Sequence, residues 1–336
     1  MASMPPDKKQ TSAPHAAVPA PADPRDRREP LPGQAPKPAT EDPDAPRRVA
    51  AILASPTYRP ADQDVDFLEQ PDSRGMRLQL DYTKAEGLLR QHGIAHTIVV
   101  FGSTRICEPG AARHRVETAQ SALAAAPDDP LLARRLAIAG RIQANSGNYE
   151  VAREFGRLVG ASGRRDTRNH VTVMTGGGPG IMEAANRGAF EAGAESIGLN
   201  ITLPHEQFPN PYITPELCFS FHYFALRKLH FLQRARALVV FPGGYGTLDE
   251  LFETLALIQT RKMPPVPVIL VGEAYWRRAF DVDFLVDEGV IDIEDRELFW
   301  FAESAAEIWQ GILRWHDANG TPLLAAAGNA APGASG

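Results

Sequence analysis

Short, purely apolar runs alternate along the chain with longer segments whose apolar residues recur at helical spacing. The apolar runs predict five strands, at residues 97–101, 170–174, 196–201, 237–241 and 266–271. Helical patterns cover residues 76–92, 111–125, 130–145, 149–159, 181–192, 223–235, 247–260, 274–285 and 304–315. Strands that are apolar throughout and separated by helices are typical of a parallel sheet buried on both faces. The sequence therefore predicts an α/β fold, a doubly wound parallel sheet with helices on both faces.

Composition sets the two ends of the chain apart from this region. Residues 1–50 hold 12 of the 29 prolines, and no Phe, Trp or Tyr precedes Tyr58. Such a stretch buries too little apolar surface to offset the entropy lost on ordering, so we expect a disordered, proline-rich tail over residues 1–48. Residues 319–336 are rich in Ala and Gly, and we expect a second flexible tail there. A single domain then spans residues 75–318, with a helical hairpin at residues 109–147 inserted after the first strand.

Charge, hydropathy and cysteine usage exclude several classes of partner. The net charge of −6 and the isoelectric point of about 5.9 argue against nucleic acid as the main partner. The longest apolar runs are only strand-sized, so we expect neither a membrane-spanning helix nor a membrane partner. The two cysteines, Cys107 and Cys218, lie far apart and form neither a disulfide framework nor a CxxC metal site. No apolar leader is present at the N-terminus, and together these features predict a cytoplasmic protein.

Two glycine clusters each lie between a predicted strand and a predicted helix, at residues 176–180 and 243–247. Glycine lets a ligand approach the backbone closely, and a helix N-terminus offers unpaired N–H groups and partial positive charge to a phosphate. A third loop, Gly102-Ser103, follows the first strand, and all three loops belong at the sheet edge where doubly wound folds bind ligands. The alternative is that the glycines form only tight turns and helix caps. Neither the dinucleotide-binding fingerprint nor a Walker Lys-Ser/Thr pair is present, which disfavours ATP hydrolysis.

Three charged residues accompany these loops. Glu250 falls in the first turn of the helix after the second cluster and off its apolar stripe, where a carboxylate either acts in catalysis or merely complements the helix dipole. Arg227 and Lys228 lie early in the preceding helix, where they either contact a ligand or form a solvated basic face. Ser103 has neither a nucleophile-elbow context nor a His partner, and no spacing of His, Cys or acidic residues indicates a metal site.

The segments PGGYGTLDE (242–250) and GGGPGIMEAANRGA (176–189), together with Arg227-Lys228, resemble the LOG family, whose members were often labelled lysine decarboxylases. The resemblance covers residues 96–318 apart from the 109–147 hairpin and points to a longer bacterial subgroup. It implies a Rossmann-like fold and a homodimer or higher homo-oligomer. It also implies a nucleoside 5′-monophosphate phosphoribohydrolase that releases free base and ribose 5-phosphate from AMP or cytokinin-type nucleotides, without a metal or a cofactor.

The resemblance also assigns roles to individual residues. Arg227 and Glu250 take the catalytic positions, and the 243–247 loop holds the 5′-phosphate. The residues implied in substrate binding are Gly102, Ser103, Gly177, Gly178, Met182, Lys228, Gly243, Gly244, Tyr245, Gly246 and Thr247.

Other functions are weighed against this one. A non-catalytic nucleotide- or cofactor-binding protein on the same fold needs the glycine loops but not a carboxylate at Glu250. An interaction protein that uses the proline-rich tail is a weaker alternative. Lysine decarboxylation requires pyridoxal phosphate on a Schiff-base lysine, and Lys228 lies in a different sequence context.

Overall fold

The computed structural model describes residues 31, 33–163, 170–204 and 208–324. The chain divides into two compact units, Met1–Ser73 and Arg74–Gly336. Most of the predicted proline-rich tail, residues 1–30 and 32, lies outside the described residues. Residues 325–336 of the predicted C-terminal tail also lie outside them.

The described part of the first unit contains two α-helices, α1 (Ala45–Leu53) and α2 (Val65–Glu69). Helix α1 begins before residue 48, so it overlaps the end of the segment whose composition predicts disorder. Ion pairs from Arg48 to Asp42 and to Asp44 support its first turn. The Asp64 carboxylate accepts a hydrogen bond from the Phe67 N–H and caps α2.

The second unit contains seven strands and ten α-helices among the residues that the structure describes. In chain order they are α3 (Arg74–Gln91), β1 (His96–Phe101), α4 (Pro109–Ala125), α5 (Pro130–Ala144), α6 (Gly147–Ser162), β2 (Val171–Thr175), α7 (Ile181–Glu191), β3 (Ser196–Ile201), β4 (Cys218–Phe221), α8 (Phe224–Gln233), β5 (Ala235–Val240), α9 (Tyr245–Gln259), β6 (Val268–Val271), α10 (Glu273–Ala279), α11 (Val282–Asp287), β7 (Trp300–Ala302) and α12 (Ala305–Ala318). The five predicted strands are confirmed. The single helix predicted at 274–285 is wrong, because the Asp281 side chain accepts the Asp283 and Phe284 N–H groups and starts a new helix there.

The sequence patterns missed β4 and β7, the two edge strands of the sheet. Strand β4 has the sequence CFSF, and only its two phenylalanines are buried. Strand β7 is three residues long, and only Ala302 in it is buried. Edge strands pair on one side only, so they lack the continuous apolar run that identifies central strands.

All seven strands are parallel, in the order β4-β3-β2-β1-β5-β6-β7. Side chains alternate between the two faces of β1 and enter two separate cores. Ile98 and Val100 pack with residues of α6, α7 and α12 on one face. Val99 and Phe101 pack with residues of α3, α8, α9 and α10 on the other. The architecture is therefore the predicted doubly wound, Rossmann-like sheet.

The order of the strands creates a crevice between β1 and β5. The helices that follow β1 and β2 pack on one face of the sheet, whereas α9, which follows β5, packs on the other. Loops that leave neighbouring strands for opposite faces separate at the carboxyl edge, and ligands bind in the resulting gap. Both glycine clusters border this gap, since they follow β2 and β5.

Helices α4 and α5 form the hairpin that the sequence predicts between β1 and α6. The Asp129 carboxylate accepts hydrogen bonds from the Leu131 and Leu132 N–H groups (2.8 and 3.3 Å), and Pro130 opens α5. Among the helices of the described residues, none combines the length and apolar character needed to cross a membrane.

Candidate active site

Backbone hydrogen bonds join the three loops that follow β1, β2 and β5. The Ser103 N–H donates to the Pro242 carbonyl oxygen at 3.0 Å. The Ser103 carbonyl accepts from the Ile181 N–H, at the start of α7, at 3.2 Å. The Ser103 hydroxyl oxygen accepts from the Arg105 N–H at 3.1 Å. Ser103, predicted as a substrate-binding residue, thus holds the two glycine loops next to each other.

Close packing within the chain explains several glycines of the first cluster. A β-carbon on Gly177 would lie 1.9 Å from the Asn200 Oδ1 atom, and one on Gly180 would lie 2.3 Å from the Ser103 carbonyl oxygen. Both glycines also have positive φ angles, 74° and 77°. These positions therefore need glycine for the packing of the loops themselves.

The second cluster differs, because two of its glycines face open space. A β-carbon on Gly244 or Gly246 would meet no atom within 4 Å, whereas one on Gly243 would clash with the Thr247 hydroxyl at 2.1 Å. Helix α9 begins at Tyr245, and the Thr247 and Leu248 N–H groups both donate to the Gly244 carbonyl at 3.0 Å. Among the described residues, none accepts from the N–H groups of Tyr245 and Gly246. Glycine inside a helix is unfavourable by about 1 kcal/mol, and no intramolecular contact explains Gly246. The arrangement leaves room for an anion at the start of α9.

A network of hydrogen bonds from side chains and backbone holds the first glycine cluster in place. The Gly177 N–H donates to Thr175 Oγ1 (3.0 Å), and that hydroxyl donates to Asn186 Oδ1 (2.7 Å). The Asn210 amide donates to the same Asn186 oxygen (3.0 Å) and to the Gly178 carbonyl (3.1 Å). The Asn210 N–H also donates to the Gly177 carbonyl (2.8 Å). The sequence analysis did not single out Asn186 or Asn210. The only indication in the sequence is Asn186, an amide within the alanine-rich start of α7.

Arg227 on α8 reaches across the carboxyl edge of the sheet to the first cluster. Its Nε donates to the Leu199 carbonyl at 2.7 Å, and its Nη2 lies 3.4 Å from the Gly176 carbonyl. Its guanidinium also lies over the Phe231 ring, 5.2 Å from the centroid. A β-carbon on Gly176 would lie 2.6 Å from Arg227 Nη2 and 2.8 Å from the sulfur of Met182. Arg227 and Met182, both predicted as site residues, therefore meet at this loop.

Glu250 lies in the second turn of α9, because the helix begins at Tyr245 and not at Thr247 as predicted. The prediction of a first-turn position was wrong, since Tyr245 and Gly246 were assigned to the loop. A carboxylate so far along the helix gains less from the dipole, whose effect fades within the first turn. The side chain is nevertheless only 6% exposed. A role limited to complementing the dipole does not account for this burial.

Burial raises the pKa of Glu250 to about 7. The positive charges of Lys228 and Arg227 oppose this rise, and the neighbouring carboxylates Glu253 and Asp249 add to it. Among the described residues, none donates a hydrogen bond to the Glu250 carboxylate. In Arg227 burial lowers the pKa of the guanidinium, and the charge of Glu250 opposes that shift. The two predicted catalytic residues are thus electrostatically coupled.

Lys228 has a different environment from its neighbour. Its ammonium lies 2.8 Å from Asp249 Oδ2 and 3.1 Å from Glu253 Oε2. Burial lowers the pKa of Lys228, but these two carboxylates outweigh it and raise the pKa overall. Lys228 therefore ties α8 to α9 on both sides of Glu250. The alternative of a solvated basic face does not apply to Lys228, whose side chain is 18% exposed.

This edge of the sheet combines an open helix N-terminus with a buried carboxylate and an arginine. A carboxyl group with a pKa near neutrality exchanges protons readily at pH 7, which suits general acid–base chemistry. In the part of the chain that the structure describes, no cluster of three or more His, Cys, Asp or Glu side chains is arranged to hold a metal ion.

Comparison with known proteins gives a family match that covers this region. A family model described as "Possible lysine decarboxylase" matches residues 182–312, which include Arg227 and Glu250. The chain is 30% identical over 139 residues to the probable cytokinin riboside 5′-monophosphate phosphoribohydrolase LOG4 of Oryza sativa subsp. japonica, which covers 40% of this chain and 59% of that protein. It is 30% identical over 146 residues to the cytokinin riboside 5′-monophosphate phosphoribohydrolase LOG1 of Arabidopsis thaliana, covering 42% and 67%.

A bacterial protein is also similar to the chain. The chain is 28% identical over 157 residues to the pyrimidine/purine nucleotide 5′-monophosphate nucleosidase of Escherichia coli (strain K12), which covers 44% of this chain and 32% of that protein. The chain thus spans less than two thirds of the rice relative and about a third of the bacterial one. The motifs, the sheet and these matches together show that the chain belongs to the LOG family.

Proposed function

We propose that the protein is a nucleoside 5′-monophosphate phosphoribohydrolase that hydrolyses the N-glycosidic bond of AMP or cytokinin-type nucleotides. The observation that carries this proposal is Glu250, a buried carboxyl with a pKa of about 7, coupled to Arg227 and one turn beyond an open helix N-terminus. The names of the relatives point to the same reaction class.

The second glycine cluster supplies the proposed phosphate site. Gly244 and Gly246 leave the first turn of α9 uncovered, and its N–H groups and the helix dipole favour a dianion. The buried Thr247 lies in the same turn and supplies a hydroxyl. Binding energy at the phosphate then holds the ribose in place for reaction at C1′.

The proposed reaction is hydrolysis through an oxocarbenium-like ribose. The bond from C1′ to the base nitrogen breaks, its electron pair leaves with the base, and the oxygen of water bonds to C1′. The Glu250 carboxylate stabilises the positive charge at C1′ and takes a proton from the attacking water. The base takes up one proton, so the products are free base and ribose 5-phosphate. Arg227 holds substrate oxygens, and its positive charge favours the ionised form of Glu250.

A panel of nucleoside 5′-monophosphates tests the proposal directly. Purified protein is incubated with AMP, GMP, IMP, CMP and UMP, and free base, ribose 5-phosphate, nucleoside and inorganic phosphate are measured together. We expect free base and ribose 5-phosphate in equal amounts from at least one nucleotide. Nucleotide binding without either product would instead favour the non-catalytic binding protein on the same fold.

We also propose that the protein forms a homodimer or a higher homo-oligomer. Three large apolar side chains on α8 and α9 support this, because they are 41–51% exposed: Phe224, Leu229 and Phe252. Light scattering at micromolar concentration is expected to give at least twice the chain mass of 36.5 kDa. A mass of one chain would contradict the proposal.

A further inference from the structure

A cavity of about 370 Å³ lies between the end of β3 and the start of β4. Its walls are mostly apolar and include Leu203, Phe208 and Phe219. Four polar side chains also line it: Asn200, Thr202, Cys218 and Ser220. Burial raises the pKa of the Cys218 thiol, so this wall stays neutral at pH 7. A cavity with mostly apolar walls and a few polar groups has the composition of a small-molecule site.

Asn200 is buried without full hydrogen bonding. The side chain is 9% exposed, and its Oδ1 has only the Cys218 thiol as a donor, at 3.8 Å. Its Nδ2 has no partner among the residues that the structure describes. Because Asn200 lines the cavity, this free donor is available to an acceptor on a bound molecule.

The cavity adjoins the candidate active site through Asn200 itself. The preceding residue, Leu199, accepts the hydrogen bond from Arg227 Nε. The Asn200 oxygen lies directly against Gly177 of the first glycine cluster. A nucleotide with its phosphate on α9 and its C1′ near Glu250 still requires a place for its base, and this cavity borders the residues that would surround the ribose.

We propose that this cavity holds the base of the nucleotide and that Asn200 determines base specificity by pairing with a 6-aminopurine. The inference rests on the proposed function of the same site. A primary amide presents one donor and one acceptor side by side, which matches N7 and the 6-amino group of adenine. A 6-oxopurine presents two acceptors on that edge and leaves the Asn200 oxygen opposed to another oxygen. The Phe208 ring at the rim provides an aromatic surface for stacking.

The test compares AMP with IMP, which differ in this edge of the base. The wild-type protein is compared with Asn200→Ala, which removes the amide, and Asn200→Asp, which keeps its shape but loses the donor. The matched control is Thr172→Val, since Thr172 is a buried residue of β2 whose hydroxyl is also unpaired in the described structure. Each variant is first checked by thermal unfolding, and kcat/KM and the dissociation constants of AMP, IMP and ribose 5-phosphate are then measured.

We expect wild-type kcat/KM to be roughly 10-fold to 100-fold higher for AMP than for IMP, as for other amide–adenine pairs. In Asn200→Ala this ratio should fall towards one, and both Asn200 variants should lose AMP turnover without weaker ribose 5-phosphate binding. Thr172→Val should retain the wild-type ratio.

Two outcomes would overturn the base site while the proposed function stands: a wild type that hydrolyses both nucleotides equally, or a ratio unchanged in folded Asn200 variants. If the wild type hydrolyses neither nucleotide, the proposed function fails, and the binding constants decide the base site. Tighter binding of AMP than of IMP that disappears in Asn200→Ala would still support the base site. Equal binding of AMP and IMP by the wild type would overturn it.

Discussion

Replacing Glu250 with Gln should stabilise the protein at neutral pH while it removes activity. The pKa of the folded carboxyl is about 7, and its unperturbed value is 4.5. Because the folded value is the higher one, the protonated form favours the fold: its contribution is complete below about pH 4.5 and is lost as the pH rises through 7. A difference of about 2.5 pKa units corresponds to roughly 3 kcal/mol. A Gln side chain cannot ionise and avoids this loss.

The assay is denaturant unfolding of the wild type and the variant between pH 4.5 and pH 8. The free energy of unfolding of Glu250→Gln, relative to the wild type, should increase across this range by about 3 kcal/mol at most. Asp249→Asn is the control, because the Asp249 side chain is 53% exposed and faces Lys228. It should show no comparable gain at high pH.

The second part of the prediction concerns the turnover rate of Glu250→Gln. Loss of the carboxylate should lower kcat by roughly 10²-fold or more, as for other general bases and charge-stabilising groups. Nucleotide binding should survive, because the phosphate contacts lie on the first turn of α9. The reasoning is refuted if Glu250→Gln and Asp249→Asn behave alike in both assays.

Two other changes separate ligand contacts from structural ones. Gly246→Ala should stabilise α9 by up to about 1 kcal/mol, because alanine favours helix more than glycine does. It should also raise the KM for AMP, because the added methyl group projects into the proposed phosphate space. The control, Gly87→Ala at an equally open position in α3, should stabilise the protein without changing the KM. Asn210→Ala should lower the free energy of unfolding by roughly 1–3 kcal/mol and kcat/KM by about 10-fold or more, since it releases the first glycine cluster. Asn145→Ala, which removes only an exposed hydrogen bond to Arg141 at the end of α5, should leave kcat/KM unchanged. Equal losses in the two Asn variants would contradict the role of Asn210 in holding the first glycine cluster.

The central part of the fold follows from local patterns in the sequence. The runs TIVVF and ALVVF are apolar throughout, and such runs occur where both faces of a strand are covered. The edge strand CFSF escaped prediction because its Ser220 faces solvent and interrupts the apolar pattern. The break in the predicted helix at 274–285 depends on the Asp281 side chain capping the next helix, a choice that helical periodicity does not reveal.

The candidate site was predictable only in part. The residue types and their approximate places follow from the motifs, but the burial of Glu250 does not, since it depends on α8 packing beside α9. Asn186 and Asn210 are far apart in the sequence and meet only through the path of the chain after β3. The unpaired amide of Asn200 likewise has no signature in the sequence, because pairing is a property of the folded surroundings.

The comparison of AMP with adenosine tests the central claim most directly. The two differ only in the 5′-phosphate, which is assigned to the first turn of α9, and the reacting bond is the same. The wild-type protein is expected to release adenine and ribose 5-phosphate from AMP with a kcat/KM at least 100-fold higher than for adenosine, on the order of what a positioned phosphate contributes. Equal rates on the two compounds, or no adenine from either, would contradict the account.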